Sequence, residues 1–311
     1  MDVFLDLNSI PKKEFPIITI GTFDGIHLGH QKLISHLLEK KKRFKGTAFL
    51  VTFEPHPQLI LNNRNQPISI LTTLEEKLGI LQEFPIDGVI VIPFTKEISE
   101  LSGQLFIKKI LINKIGFKDI VIGYDHAFGK NRSGNVETLR QMSSEFGFRV
   151  NVVEPVSLNG QVVKSTAIRN ALRIGDISKA TAFLGRPYQI TGTVSKGSGR
   201  GKNSLFPTAN LEVETPHKLI PQNGVYIVEA VLNGEKYAAI ANIGKRPTFG
   251  ENNFAIEVHI LDFHDNIYDK KVKISILSRI RDEKRFQSIE ALKKQINKDI
   301  KAARNYFQLN N

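Results

Sequence analysis

At Leu184-Gly185-Arg186-Pro187 the hydrophobic period of the chain changes, and that change restricts the fold to two unlike parts in series. Before it, short apolar β-branched runs alternate with stretches of helical period: IITI (17–20) then 28–43, AFLVTF (48–53) then 74–83, GVIVI (88–92) then 98–114, DIVIG (119–123) then 136–146, and FRVNVV (148–153). Such alternation predicts a parallel sheet covered by helices. Residues 166–184 are expected as two short helices broken at Gly175-Asp176. After it come YQITGTV, TANLEV, VYIVEAVL, YAAIANI, FAIEVHIL and KVKISIL, with turn pairs such as Asn223-Gly224 and Asn233-Gly234 and no crossover helix between them. These six runs predict an antiparallel β-barrel, followed by an amphipathic helix near 286–307 with Ile289, Leu292, Ile296 and Ile300 as its apolar stripe. The expected fold class is α/β plus β, with domains 1–185 and 186–311.

Open α/β sheets bind ligands at the carboxyl ends of their strands, and two loops there carry unusual chemistry. The first, GTFDGIHLGH, runs from Gly21 straight into a helix start bearing His27 and His30. Unpaired N–H groups and the positive end of the helix dipole attract phosphate at such a point, and imidazoles add hydrogen bonds to it. Gly21, Gly25 and Gly29 leave room for close backbone approach, while Leu33, Ile34, Leu37 and Leu38 repeat at helical spacing and would pin the helix to a core. The second loop is GYDHAFGKNRSGN at 123–135.

Composition narrows the setting. The 311 residues are 41% hydrophobic and 24% charged, as in globular proteins of two domains. No apolar run reaches membrane-spanning length, and MDVFLDLNSI has the acids that a signal peptide lacks, so the cytoplasm is the expected location and a membrane is not an expected partner. With no cysteine, disulfides and thiolate chemistry are absent, and any metal is held by oxygen or histidine. The formal charge of +12 is shared by both halves and suits polyanionic small substrates; no nucleic-acid-binding motif accompanies it. KKKRFK at 40–45 reads as the solvated end of the first helix.

GTFDGIHLGH resembles the histidine signature of the nucleotidylyltransferase superfamily, in which two histidines one turn apart contact ATP phosphates. TFEPHP (52–57), GYDHAFGKNRSGN (123–135) and KSTAIRNAL (164–172) then follow in the order seen in bacterial bifunctional riboflavin kinase/FAD synthetases. The resemblance implies a Rossmann-like nucleotidylyltransferase domain followed by a barrel-shaped riboflavin kinase domain. It assigns His27 and His30 to the ATP phosphates, beside Gly21, Thr22, Phe23, Asp24 and Gly25, and gives Ser165, Thr166 and Arg169 to the β- and γ-phosphates. Lys164 stands where the family often has a second serine. Phe53, Pro57, Asp125 and Phe128 match positions near the nucleotide or flavin.

In the second half GTVSKGSGRGKNSLFPTANL (192–211) resembles the riboflavin kinase signature. Gly197, Gly199, Arg200, Gly201 and Lys202 would close over phosphates, and Thr208 and Asn210 offer hard oxygen ligands for Mg²⁺. Arg200-Gly201-Lys202 and Asn203-Ser204-Leu205 depart from the family, which more often has a second arginine and a leucine-glycine pair. Glu257 matches the catalytic base that takes the ribityl 5′-hydroxyl proton. Strand alternation puts Ala255, Glu257 and His259 on one face and Ile256, Val258 and Ile260 on the other. Asn242, Gly244, Pro247, Thr248 and Phe249, with Arg281 and Glu283, match further substrate-binding segments.

The expected protein thus makes FMN and then FAD from riboflavin and two ATP, with Mg²⁺ at both steps. Two other readings stay open: a nucleotidylyltransferase for a different phosphorylated precursor, and a basic nucleic-acid-binding or regulatory protein with vestigial sites. Oligomeric state is not legible.

Overall fold

The computed structural model describes residues 1–61, 68–195, 206–245 and 254–309. They form two compact units, Met1–Ser165 and Thr166–Asn311.

The first unit is a parallel sheet of β1 (Asp2–Phe4), β2 (Pro16–Ile20), β3 (Thr47–Glu54), β4 (Gly88–Pro93), β5 (Asp119–Gly123) and β6 (Arg149–Val153), in the order β1-β4-β3-β2-β5-β6. β2 is buried at every residue, as expected of a central strand with packing on both faces. Helices α1 (Leu28–Phe44), α2 (Pro57–Leu61), α3 (Leu74–Leu81), α4 (Lys96–Ser99), α5 (Gly103–Phe106) and α6 (Val136–Phe146) cover it. Ile34 and Leu37 of α1 are buried against Ile17, Leu50 and Val89, with Leu33 and Leu38 packed at the margin, as their spacing requires. From β2 the chain builds outward through β3 to β4, which lies inside the edge strand β1, then returns to lay β5 on the other side of β2. The reversal puts a topological switch point between β2 and β5, where strand order leaves a crevice at the carboxyl ends.

The second unit starts with α7 (Ser165–Arg173, whose first residue closes the first unit) and α8 (Ile177–Leu184), separated by Gly175 at φ +73°. Strands β9 (Tyr188–Ser195), β10 (Ala209–Glu212), β11 (Gly224–Leu232), β12 (Glu235–Lys245), β13 (Phe254–Ile260) and β14 (Lys271–Arg281) close an antiparallel barrel in the order β10-β13-β12-β11-β14-β9. Asn233 (φ 52°) and Gly234 (φ 89°) supply the left-handed pair for the tight β11–β12 hairpin. Helix α9 (Ile289–Leu309) packs on the barrel.

Three expectations need correction. The stretch 98–114 is not one helix: Ser102 starts a new one, its Oγ accepting from Leu105 N at 3.3 Å, and residues Ile107–Ile115 continue as a π-helix. The stripe of α9 is shifted towards its carboxyl end. Ile289 and Leu292 are 67% and 38% exposed, and the packed face consists of Ala303 with Ile300, Tyr306 and Phe307 against Ile227, Ile240 and Leu261. Strand β1 and the two-residue strands β7 (Ser157–Leu158) and β8 (Gln161–Val162) are additional elements, too short to show a period in sequence.

Candidate active sites

In the first unit the loop leaving β2 is fixed at almost every peptide. Gly21 N donates to Val51 O (3.1 Å), and the Thr22 carbonyl accepts from Thr52 Oγ1 (3.1 Å) and Lys77 Nζ (2.9 Å). The buried Asp24 carboxylate accepts from Leu71 N (2.8 Å) and Thr72 N (3.0 Å), while Gly25 N donates to Thr72 Oγ1 (3.0 Å). The Asp24 carbonyl in turn accepts from Ser165 Oγ (3.0 Å). These bonds hold Phe23 and Ile26, both fully buried, in left-handed backbone at φ 48° and 39°. Each such residue costs roughly 1–3 kcal/mol and persists only where the surroundings over-determine it.

The loop delivers His27 as the N-cap of α1, its Nδ1 accepting from His30 N at 3.4 Å. The two imidazoles stack with centroids 3.7 Å apart and planes 15° apart. Gly29 permits this, because a Cβ there would sit 3.0 Å from the His27 ring. A ring nitrogen that accepts a backbone N–H carries no proton, so a neutral His27 has its N–H at Nε2. Paired imidazoles, a glycine-bearing turn and a helix start therefore occupy the switch-point crevice, an arrangement suited to a polyphosphate.

In the second unit the chemistry lies across three strands. Glu257 on β13 pairs directly with Asn210 on β10 and with Asn242 on β12, so the three side chains form one row on one face. Ile256, Val258 and Ile260 are buried while Ala255, Glu257 and His259 are half-buried, the alternation read from the sequence. Thr208 is exposed just before β10, and His259 Nδ1 lies 2.8 Å from Pro207 O. Glu283 is set over the Gly244 backbone, where a Cβ would be 2.1 Å from its Oε1, and Asn223 Nδ2 donates to it at 3.3 Å.

Comparison with known proteins assigns a family to each half of the chain. Residues 9–167 match the FAD synthetase family and residues 184–307 the riboflavin kinase family. The chain is 38% identical over 297 residues to the bifunctional riboflavin kinase/FMN adenylyltransferase of Buchnera aphidicola subsp. Schizaphis graminum, covering 94% of each. The protein of the same description from Escherichia coli K12 is 35% identical, covering 94% of this chain and 93% of its own. The chain belongs to the bifunctional riboflavin kinase/FMN adenylyltransferase family. A crystal structure from Streptococcus pneumoniae, described as a macrolide-efflux protein, superposes with a TM-score of 0.87 at 29% identity, covering 97% of this chain and 98% of that one. No helix among the described residues is long and apolar enough to cross a membrane.

Within this family member the structure distributes the sequence-derived residues unevenly. Gly21 to Gly25, His27, His30 and Ser165 come together in the first unit, and Asn210, Glu257 and Asn242 in the second. Thr166 and Arg169 lie on α7, the first exposed and the second buried. Phe53 is part of the core, edge-on to Phe94 at 5.6 Å, and Pro57 opens α2. Phe128 is half-buried, 5.7 Å from Phe106 and pressed on Gly134. Asp125 pairs with Lys164 at 3.2 Å, which gives a task to the lysine that replaces the usual serine. Arg281 is committed to the buried Asp299 of α9, Nη2 to Oδ2 at 2.7 Å with Nε at 3.1 Å. Gly197, Gly199, Arg200, Gly201, Lys202, Pro247, Thr248 and Phe249 lie outside the described residues.

Sequence reasoning missed Lys77, Thr52 and Thr72 beneath the first loop, and His126. The Nε2 of His126 is sealed from solvent with no hydrogen-bond partner among the described residues, although the ring keeps some surface. Burial, assisted by Arg132 and opposed by Asp125, pushes its imidazole down to about 4 from 6.5. The folded state therefore binds this proton less readily than the unfolded chain. The stability that follows is complete above pH 6.5 and is lost as pH falls towards 4. His126→Phe keeps a ring and removes the titration, so it should flatten the fall in Tm across that interval. An acid dependence identical to wild type would contradict the assignment.

Proposed function

We propose that this chain phosphorylates riboflavin in its second unit and adenylylates the resulting FMN in its first, at two separate ATP sites. The observation that carries the reading is the pairing of a stacked histidine couple at the switch point of one unit with a glutamate–asparagine row on the barrel of the other.

At the barrel Glu257 takes the proton of the ribityl 5′-hydroxyl as that oxygen attacks the γ-phosphorus of ATP, and ADP leaves. Asn210 and Asn242 hold the hydroxyl and phosphate oxygens beside it. Thr208, Asn210 and Glu257 present only hard oxygen donors from a solvent-accessible edge, which fits Mg²⁺ arriving with the phosphates. Thr208 and Asn210 would hold that ion, which neutralises phosphate charge when bound. At the switch point an FMN phosphate oxygen attacks the α-phosphorus of a second ATP and pyrophosphate leaves. His27, His30 and the start of α1 take up the charge that develops on the phosphates; no covalent intermediate is required. Ser165, Thr166 and Arg169 serve the outer phosphates. The domains are assigned as 1–185 and 186–311, and the enzyme as cytoplasmic with small-molecule substrates and no nucleic-acid partner.

Incubating the protein with riboflavin, ATP and Mg²⁺ and separating the flavins by chromatography tests this reading. FMN should appear first and FAD after it. Absence of both, with folded protein, would refute it; FAD from supplied FMN without any FMN from riboflavin would reduce the chain to an adenylyltransferase.

A further inference from the structure

Lys77 on α3 is a lysine only 3% exposed, in a segment that no motif singles out. Its Nζ donates to the Thr22 carbonyl at 2.9 Å and to Thr52 Oγ1 at 3.1 Å, and Thr52 Oγ1 itself donates to the same carbonyl at 3.1 Å. Burial lowers its pKa, and the charges of Asp24 and Glu54 act in the opposite sense. Burial likewise raises Glu54, against the pull of Lys77. Lys77 is thus enclosed beneath the loop that delivers His27 and His30, under the influence of the buried Asp24 and the half-buried Glu54.

We infer that Lys77 is a positioning residue for adenylyl transfer: its ammonium fixes the Thr22 carbonyl, and so the shape of the histidine loop, and it cancels carboxylate charge that would otherwise repel a polyphosphate. The inference rests on the adenylyltransferase reading of the first unit. Two features make the role specific. The loop contains two buried non-glycine residues in left-handed backbone, so it relaxes unless held from beneath, and the Thr22 carbonyl is gripped by both a hydroxyl and the Lys77 Nζ. Asp24 and Glu54, whose charges act on the ammonium, would leave an uncompensated negative field beneath the loop without it.

The experiment uses the full-length protein and follows FMN-to-FAD conversion, with riboflavin phosphorylation in the same sample as an internal control. Lys77→Met should raise KM for ATP in adenylylation at least tenfold and lower kcat. Lys77→Arg, which keeps the charge, should recover most of the KM. The kinase rate should change less than twofold. Should Lys77→Met lose the folding transition of the first unit, Thr52→Val decides: it removes one of the two links to Thr22 with little change of volume, and should raise KM for ATP at least threefold while the folding transition, at a somewhat lower Tm, is kept. Adenylylation constants equal to wild type in a folded Lys77→Met protein, or in Thr52→Val where that variant decides, would overturn the role of Lys77 alone. Failure of the wild type to convert FMN to FAD would overturn the reading beneath it.

Discussion

Glu257→Gln is expected to lower the rate of FMN formation from riboflavin by at least about 10²-fold, the usual scale of a general base, while conversion of supplied FMN to FAD stays within twofold. Glutamine keeps the size of the side chain and a hydrogen-bonding oxygen, so the cross-strand row with Asn210 and Asn242 survives and only the proton acceptor is removed. KM for riboflavin should therefore change little, because the loss falls on kcat. The two half-reactions are measured separately by chromatography of the flavins. Loss of both activities in a folded protein would refute the division of labour between the units, and a fully active variant would remove Glu257 from the chemistry.

His30→Ala should give the opposite pattern, a fall in FAD formation of roughly 10²–10³-fold with FMN formation from riboflavin unchanged. The substitution removes one of two stacked rings and leaves the backbone N–H that His27 accepts, so α1 retains its cap. Its ring packs 5.1 Å from that of Phe23, and some loss of Tm is expected with it. A conservative control is His30→Asn, which should restore part of kcat if hydrogen bonding to phosphate is the role. Equal defects in alanine and asparagine variants, tracking Tm, would assign His30 to packing.

Much of this was legible in the sequence because burial on two faces or on one leaves a plain pattern. Strands β2 to β5 read as largely apolar runs, and barrel strands such as β9 and β13 alternate, so the pattern alone puts Glu257 opposite Ile256 and Val258. The histidine loop was legible for a different reason: its glycines and imidazoles are needed by the local backbone and by the phosphate chemistry together. What stayed hidden depends on tertiary partners. Lys77 sits at a helical position where a lysine is ordinarily solvated, and only the approach of Thr22 and Thr52 reveals that it is buried. Arg281 carries the same signal whether it meets a substrate or Asp299, and the structure shows Asp299. The stripe on α9 was misplaced because amphipathic spacing fixes a face but not how much of its length is covered; Ile289 and Leu292 continue the pattern into solvent.

The central claim is that one polypeptide cuts ATP at two different phosphorus atoms, one in each unit. The most direct measurement supplies riboflavin with ATP labelled either at the γ- or at the α-phosphorus and follows the label into the flavins. The γ-label should enter FMN and remain in FAD, and the α-label should enter FAD alone; Glu257→Gln should stop the first transfer and His30→Ala the second. Label in the wrong flavin, or one substitution stopping both transfers from supplied substrates, would contradict the account.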